Sequence, residues 1–172
     1  MQRCLKISSV VGIALTLVTA AVSRAEIAEP EPPPPPKPVL YTVAGMHAFL
    51  FLRESGKWHS EDLFTAPGLW NTGIGEGLAG EPASSASLIV QLNGQTFGRM
   101  TGKLDVVATQ GKRNLLKQTV RVLDLFSPKQ AVSVPFLLNN LGCGEVVVTA
   151  TLRIPGRPVS TMTKKINFAC GE

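Results

Sequence analysis

The residues best suited to chemistry crowd into one stretch. Glu54, Glu61, Asp62, Glu76 and Glu81 fall there together with Trp58, His59, Trp70 and Asn71. Glycosidases work with a pair of carboxylates, one acid and one base or nucleophile, so a hydrolase hidden in this chain would draw its pair from these five acids. Nucleophilic alternatives are missing: the sequence holds neither G-x-S-x-G nor S-x-x-K, the spacings that activate a serine. Ser84, Ser85 and Ser87 stand at a strand entrance, where hydroxyls cap turns or line a solvent face. His47 and His59 are the only histidines. A catalytic metal site asks for three protein ligands, and a copper site built on Met46 and His47 would also need a cysteine thiolate. No catalytic residue, metal or cofactor is therefore expected. Gly75-Glu76-Gly77-Leu78-Ala79-Gly80 matches G-x-G-x-x-G by letter. Dinucleotide binding needs a strand before that motif and a helix after it, and Glu81-Pro82 follows, so it reads as a flexible glycine loop.

The two tryptophans carry the remaining interest. Large rigid rings with a hydrogen-bonding handle anchor protein interfaces and sugar platforms. Trp58, Phe64, Leu69 and Trp70 are expected to fold down over an open end of the domain. Rings left exposed would instead make this loop a binding surface of Trp58, His59, Trp70 and Asn71.

Export is the clearest feature of the sequence. Arg3 and Lys6 precede an apolar run from Ile7 to Val22, and Ser23-Arg24-Ala25 closes it. That order is the n-region, h-region and small-residue cleavage site of a secretory signal peptide. The run is interrupted by Ser8, Ser9, Thr16 and Thr19 and falls short of the roughly 20 apolar residues of a spanning helix. Cys4 lies ahead of the run rather than behind it, which argues against a lipid anchor. Cleavage after Ala25 removes three of the 17 Lys and Arg and none of the 12 Asp and Glu, so the formal charge falls from +5 to +2. The cations left are scattered along the chain without a nucleic-acid motif. No nucleic-acid partner is expected, and a membrane one only if the leader is retained.

Residues 26–38 form a linker whose core is Glu29-Pro30-Glu31-Pro32-Pro33-Pro34-Pro35-Pro36-Lys37-Pro38. Prolines lack the N–H that a helix or sheet interior needs, so the segment is expected to be extended polyproline II, about 30 Å long. Over these ten residues it resembles the Glu-Pro and Lys-Pro spacers of TonB-like periplasm-spanning proteins, and it reads as a stiff linker holding the domain off a surface or partner.

Residues 39–172 are expected to make one domain, and their pattern is that of strands. Tyr41 to Leu52 is apolar and reads as strand, although a short buried helix shares that periodicity. Arg53 to Pro82 is a long irregular excursion of the kind that is often functional. Ala86, Leu88, Val90 and Leu92 alternate with polar neighbours up to an Asn93-Gly94 turn. Leu104, Val106 and Ala108 alternate likewise, as do Val120 and Val122, then Val132, Val134, Phe136 and Leu138, then Val146, Val148, Ala150 and Leu152. The last strand offers Met162, Ile166 and Phe168. About seven short alternating strands imply an all-β antiparallel sandwich, immunoglobulin-like or fibronectin III-like.

Cys143 and Cys170 remain after cleavage, and an oxidising compartment makes their pairing the default. Matching the inward residues of the last two strands sets Val146 against Phe168, Val148 against Ile166, Ala150 against Lys164 and Leu152 against Met162. That register brings Cys170 opposite Gly144.

Three functions fit these observations. The first is an exported non-catalytic module, periplasmic or extracellular, that binds a protein or glycan partner or serves as an accessory subunit. The second is a hydrolase using the loop carboxylates. The third is a spacer protein tied to the membrane by an uncleaved leader. Oligomeric state is not legible.

Overall fold

The computed structural model describes residues 40–65, 70–71, 79–95, 98–126 and 130–169. The leader, the linker, most of the glycine loop and Cys170 lie outside these. The chain divides into two units, residues 1–35 and 36–172, and all the described residues belong to the second.

Nine strands form two sheets among the described residues: β1 Tyr41–Leu52, β2 Lys57–Trp58, β3 Trp70–Asn71, β4 Ser85–Gly94, β5 Gly98–Gln110, β6 Arg113–Phe126, β7 Val132–Asn139, β8 Gly144–Arg153 and β9 Ser160–Ala169. One sheet has the order β2-β1-β4-β7 and the other β3-β9-β8-β5-β6. The seven long strands pair antiparallel throughout. Their order, β1-β4-β7 against β9-β8-β5-β6, matches the A-B-E and G-F-C-C′ arrangement of immunoglobulin-like sandwiches. The two extra strands are two-residue additions inside the excursion between β1 and β4, where the sequence predicts irregular chain.

Alternation drives the packing. Successive side chains on a strand point to opposite faces, so a period-two apolar pattern can be buried only by a second sheet. Ala86, Leu88, Val90 and Leu92 of β4 are wholly buried, and they meet Leu104, Val106 and Ala108 of β5 and Val146, Val148 and Ala150 of β8 in one core. Met46, Ala48 and Leu50 of β1 complete it.

Two expectations need correction. Asn93 and Gly94 do not turn the chain. Both lie in β4, paired with Thr42 and Tyr41, because β5 belongs to the opposite sheet and the chain must cross over rather than fold back. The register of β8 against β9 also differs by two residues. Val146 faces Ile166, Val148 faces Lys164, Ala150 faces Met162 and Leu152 faces Ser160. A two-residue slip keeps every side chain on its face, so parity alone cannot detect it.

The shifted register has a use for Lys164, which shares the inward parity of Ile166. Its ammonium crosses to the other sheet, donates to the Met46 carbonyl at 3.0 Å and stands 5.0 Å over the Phe64 ring. A cation over an aromatic face gains roughly 0.5–1 kcal/mol or more, so this lysine bridges the two sheets where a carbonyl would otherwise be unpaired.

Candidate functional site

The excursion after β1 is built around the open edge of that strand. An edge strand presents unpaired N–H and C=O groups that invite another chain. Here residues 56–65 cover them. Gly56 N–H donates to the Leu52 carbonyl, His59 N–H to Leu50 and Leu63 N–H to Ala48. Asp62 takes the strand's remaining donor there: its Oδ1 accepts Ala48 N–H at 3.0 Å and Phe64 N–H at 3.1 Å, while Oδ2 meets His47 Nδ1 at 2.8 Å. Leu63 then drops into the core and Phe64 packs on its margin.

This clamp fixes where Trp58 stands. The Lys57–Trp58 strand pairs with Leu52 and Phe51, and the indole meets the Phe51 ring edge-on, with centroids 5.1 Å apart. Half of Trp58 remains exposed at 50 %. The expectation that this ring folds down over the core is therefore wrong for Trp58 and right for Phe64. Trp58 is the cross-strand partner of Phe51 and shares its outward face, while Leu63 is the residue of this segment that is buried.

Around Trp58 lies the outer face of the four-stranded sheet. Pairing sets His47, Ile89 and Pro135 in one row, Phe49, Ser87 and Leu137 in the next, and Phe51, Ser85 and Asn139 in a third. No Lys, Arg, Asp or Glu occupies these outward positions. Trp58 divides two shallow grooves. One, of about 350 Å³, is lined by Phe49, His59, Ser60, Ser87 and Ile89 as well as the indole. The other, of about 330 Å³, runs over Phe51, Ser85, Leu137 and Asn139. Leu137 is 50 % exposed. Ser85 donates to Asn139 Oδ1 at 3.2 Å, which gives the second groove a polar floor. Exposed contiguous apolar surface with a polar margin marks interaction sites more often than a solvated sheet face.

Of the residues expected at a binding surface, Trp58 and His59 come together in the first groove. His59 Nδ1 accepts the Glu61 N–H at 3.2 Å. The backbone of Trp70 and Asn71 pairs in parallel with Phe168 and Ala169, at the edge of the other sheet. Residues of one loop are thus shared between two sheets. His47 is the strand histidine and His59 the loop histidine that the sequence suggests, and no group of three His, Cys, Asp or Glu converges among the described residues.

The loop acids have structural work. Asp62 holds the edge clamp. Glu81 caps the turn after β1, with Oε2 accepting the N–H groups of Glu54 at 2.8 Å and Ser55 at 2.9 Å and Oε1 accepting the Ser55 hydroxyl at 2.6 Å. The Ser55 hydroxyl, then the Ser55 and Glu54 N–H groups and the Lys57 charge, hold its carboxyl below the usual glutamate range. A carboxyl so depressed is a poor general acid. Because its folded value lies below its unfolded one, its contribution is complete above the ordinary glutamate range and fades as pH falls through the depressed value. Glu81→Gln is expected to lower stability at neutral pH, where the carboxylate's contribution is complete, and to flatten the loss on acidification, so that the two curves converge in acid. Urea titrations across the acid range check this, and parallel curves for the two proteins would refute it.

Sequence reasoning passed over Gln110, the one buried polar residue among the described residues. It stands on the inward parity of Leu104, Val106 and Ala108, and that position was the signal available. Its amide nitrogen donates to the carbonyls of Gly142 at 2.5 Å and Gly144 at 3.1 Å. Its oxygen accepts Gly142 N–H at 3.0 Å and the Arg113 guanidinium at 2.7 Å.

No family model and no curated protein matches this chain. Fold and site together define its class: an immunoglobulin-like β-sandwich presenting an uncharged aromatic face beside a clamped edge.

Proposed function

We propose that this protein is an exported binding module of the cell envelope or extracellular space, and that its ligand, a protein surface or a glycan, covers the outer face of the four-stranded sheet around Trp58. One observation carries the reading: an indole half exposed between two grooves on a sheet face without charge. Rigid aromatics in such settings dominate binding energy because they bury large area at little entropic cost. The leader of residues 1–25 supports export, and the proline-rich linker of residues 26–38 would present the domain away from a surface.

A disulfide between Cys143 and Cys170 is part of the proposal. Cys143 is disulfide-bonded, and the β8–β9 register, extended by one pair beyond Gly144 and Phe168, sets it beside Ala169, next to Cys170. Closing a loop of this size is worth roughly 3–4 kcal/mol in the chain-entropy model.

The test is capture by the immobilised protein from an envelope extract and on a glycan array, run in parallel with Trp58→Ala. Exposed truncation leaves thermal stability nearly unchanged, while affinity for the captured ligand is expected to fall by about tenfold or more. Identical capture by both proteins would remove Trp58 from the interface and sink the reading. The array separates a glycan from a protein.

A further inference from the structure

The register places three cations side by side on the outer face of the five-stranded sheet. Arg121 of β6 faces Lys103 of β5, and Lys103 faces Arg153 of β8. Directly opposed residues of a sheet stand about 5 Å apart at Cβ, and like charges there are destabilising. A single carboxylate attends the row. Asp105, two residues along β5, pairs with Arg153 and accepts the Thr119 hydroxyl. Lys103 and Arg121 form no ion pair among the described residues. Three cations against one anion leave a local surplus of two in a mature chain whose whole formal surplus is the same size.

These side chains also line a groove of about 420 Å³ together with Thr101, Gly102, Ile154 and Pro155. Gly102 lets the groove's end wall come close, since a Cβ there would stand 3.0 Å from both the Arg153 carbonyl oxygen and Ile154 Cγ1. One row further on, Thr101 faces Leu123, which is 59 % exposed. The groove is therefore cationic along one side and apolar at its ends.

We infer that this groove binds a phosphate-type oxyanion, either free or as the headgroup of an amphiphile. Guanidinium groups match phosphate with paired donors and ammonium supplies a compact charge, and an anion in the row converts the repulsion among Lys103, Arg121 and Arg153 into attraction. The apolar margin of Leu123, Ile154 and Pro155 is what an attached chain would meet. The inference is independent of the Trp58 face, which belongs to the other sheet.

Calorimetric titration with inorganic phosphate at low salt, flotation with phosphatidylglycerol and with phosphatidylcholine vesicles, and thermal unfolding test it on the parent and on Lys103→Gln/Arg121→Gln. Both substituted positions are exposed, so the double variant folds. In phosphate-free buffer it is expected to melt above the parent, because the cross-strand repulsion is gone. Phosphate is expected to raise the parent's melting temperature and not the variant's, with affinity lower by about tenfold or more in the variant. Phosphatidylglycerol binding that the variant loses, with none to phosphatidylcholine, identifies a headgroup, and phosphate binding without vesicle binding identifies a free anion. Equal binding by parent and variant, or binding of neither probe by the parent, overturns the inference.

Discussion

Gln110→Ala is expected to lower the unfolding free energy by about 3 kcal/mol, the size of effect that follows when buried polar partners are stranded. The amide of Gln110 satisfies the N–H and C=O of Gly142 and the C=O of Gly144 at once. The segment it holds has few other means of support. Asn140, between β7 and β8, adopts a φ of 57°, a conformation that strands do not use, so the chain there cannot join a ladder to recover its bonds. Arg113 helps by donating to the Asn140 carbonyl at 2.8 Å as well as to Gln110. A Cβ at Gly142 would stand 3.2 Å from the Arg113 guanidinium, so a side chain there would press on the group that supports Gln110. Gln110→Leu refills the volume and leaves the same groups unpaired, so it is expected to be nearly as destabilising as alanine. Urea unfolding of both variants decides the matter. A leucine variant as stable as the parent would mean that the site needs bulk and not hydrogen bonds.

Asp62→Ala is the second large effect, again about 3 kcal/mol, and it should reach the sheet face around Trp58. The Asp62 side chain is only 12 % exposed, and removing it strands Ala48 N–H and Phe64 N–H on the strand edge and deprives His47 of its partner. The backbone bonds from Leu63 to Ala48 and from His59 to Leu50 then lose the anchor that holds their segment in place. Faster hydrogen exchange is expected at the amides of Ala48, His59 and Leu63, with a red shift in tryptophan emission as Trp58 leaves Phe51. Asp62→Asn keeps an acceptor oxygen for the backbone donors and is expected to lose about half as much. An alanine variant with unchanged exchange at these three amides would show that the backbone bonds alone hold the edge.

Strand parity was legible in the sequence because burial acts on each strand separately. Val146, Val148, Ala150 and Leu152 are apolar since their face has no access to water, and any register would leave them so. The same logic would have flagged Gln110 and Lys164 as inward polar residues in need of partners. The partners themselves, Gly142 and Gly144 for Gln110 and the Met46 carbonyl for Lys164, belong to other strands, and no local pattern names them. Trp58 shows the opposite case: an apolar residue expected inside, left outside because it pairs with Phe51 on the outward face of the sheet.

By itself the sequence determined an all-β sandwich, the inward face of the long strands after β1, and the tryptophan-bearing stretch as the place to look. Those follow from composition and from period-two patterning, which are properties of single segments. Tertiary structure alone decided the two-residue register of β8 on β9, the clamp that Asp62 places on β1, and the assembly of both outer faces. Lys103, Arg121 and Arg153 are scattered cations along the chain and neighbours only across a ladder. The physical reason is that parity depends on whether a side chain meets water, while register depends on which backbone groups find each other across the sheet.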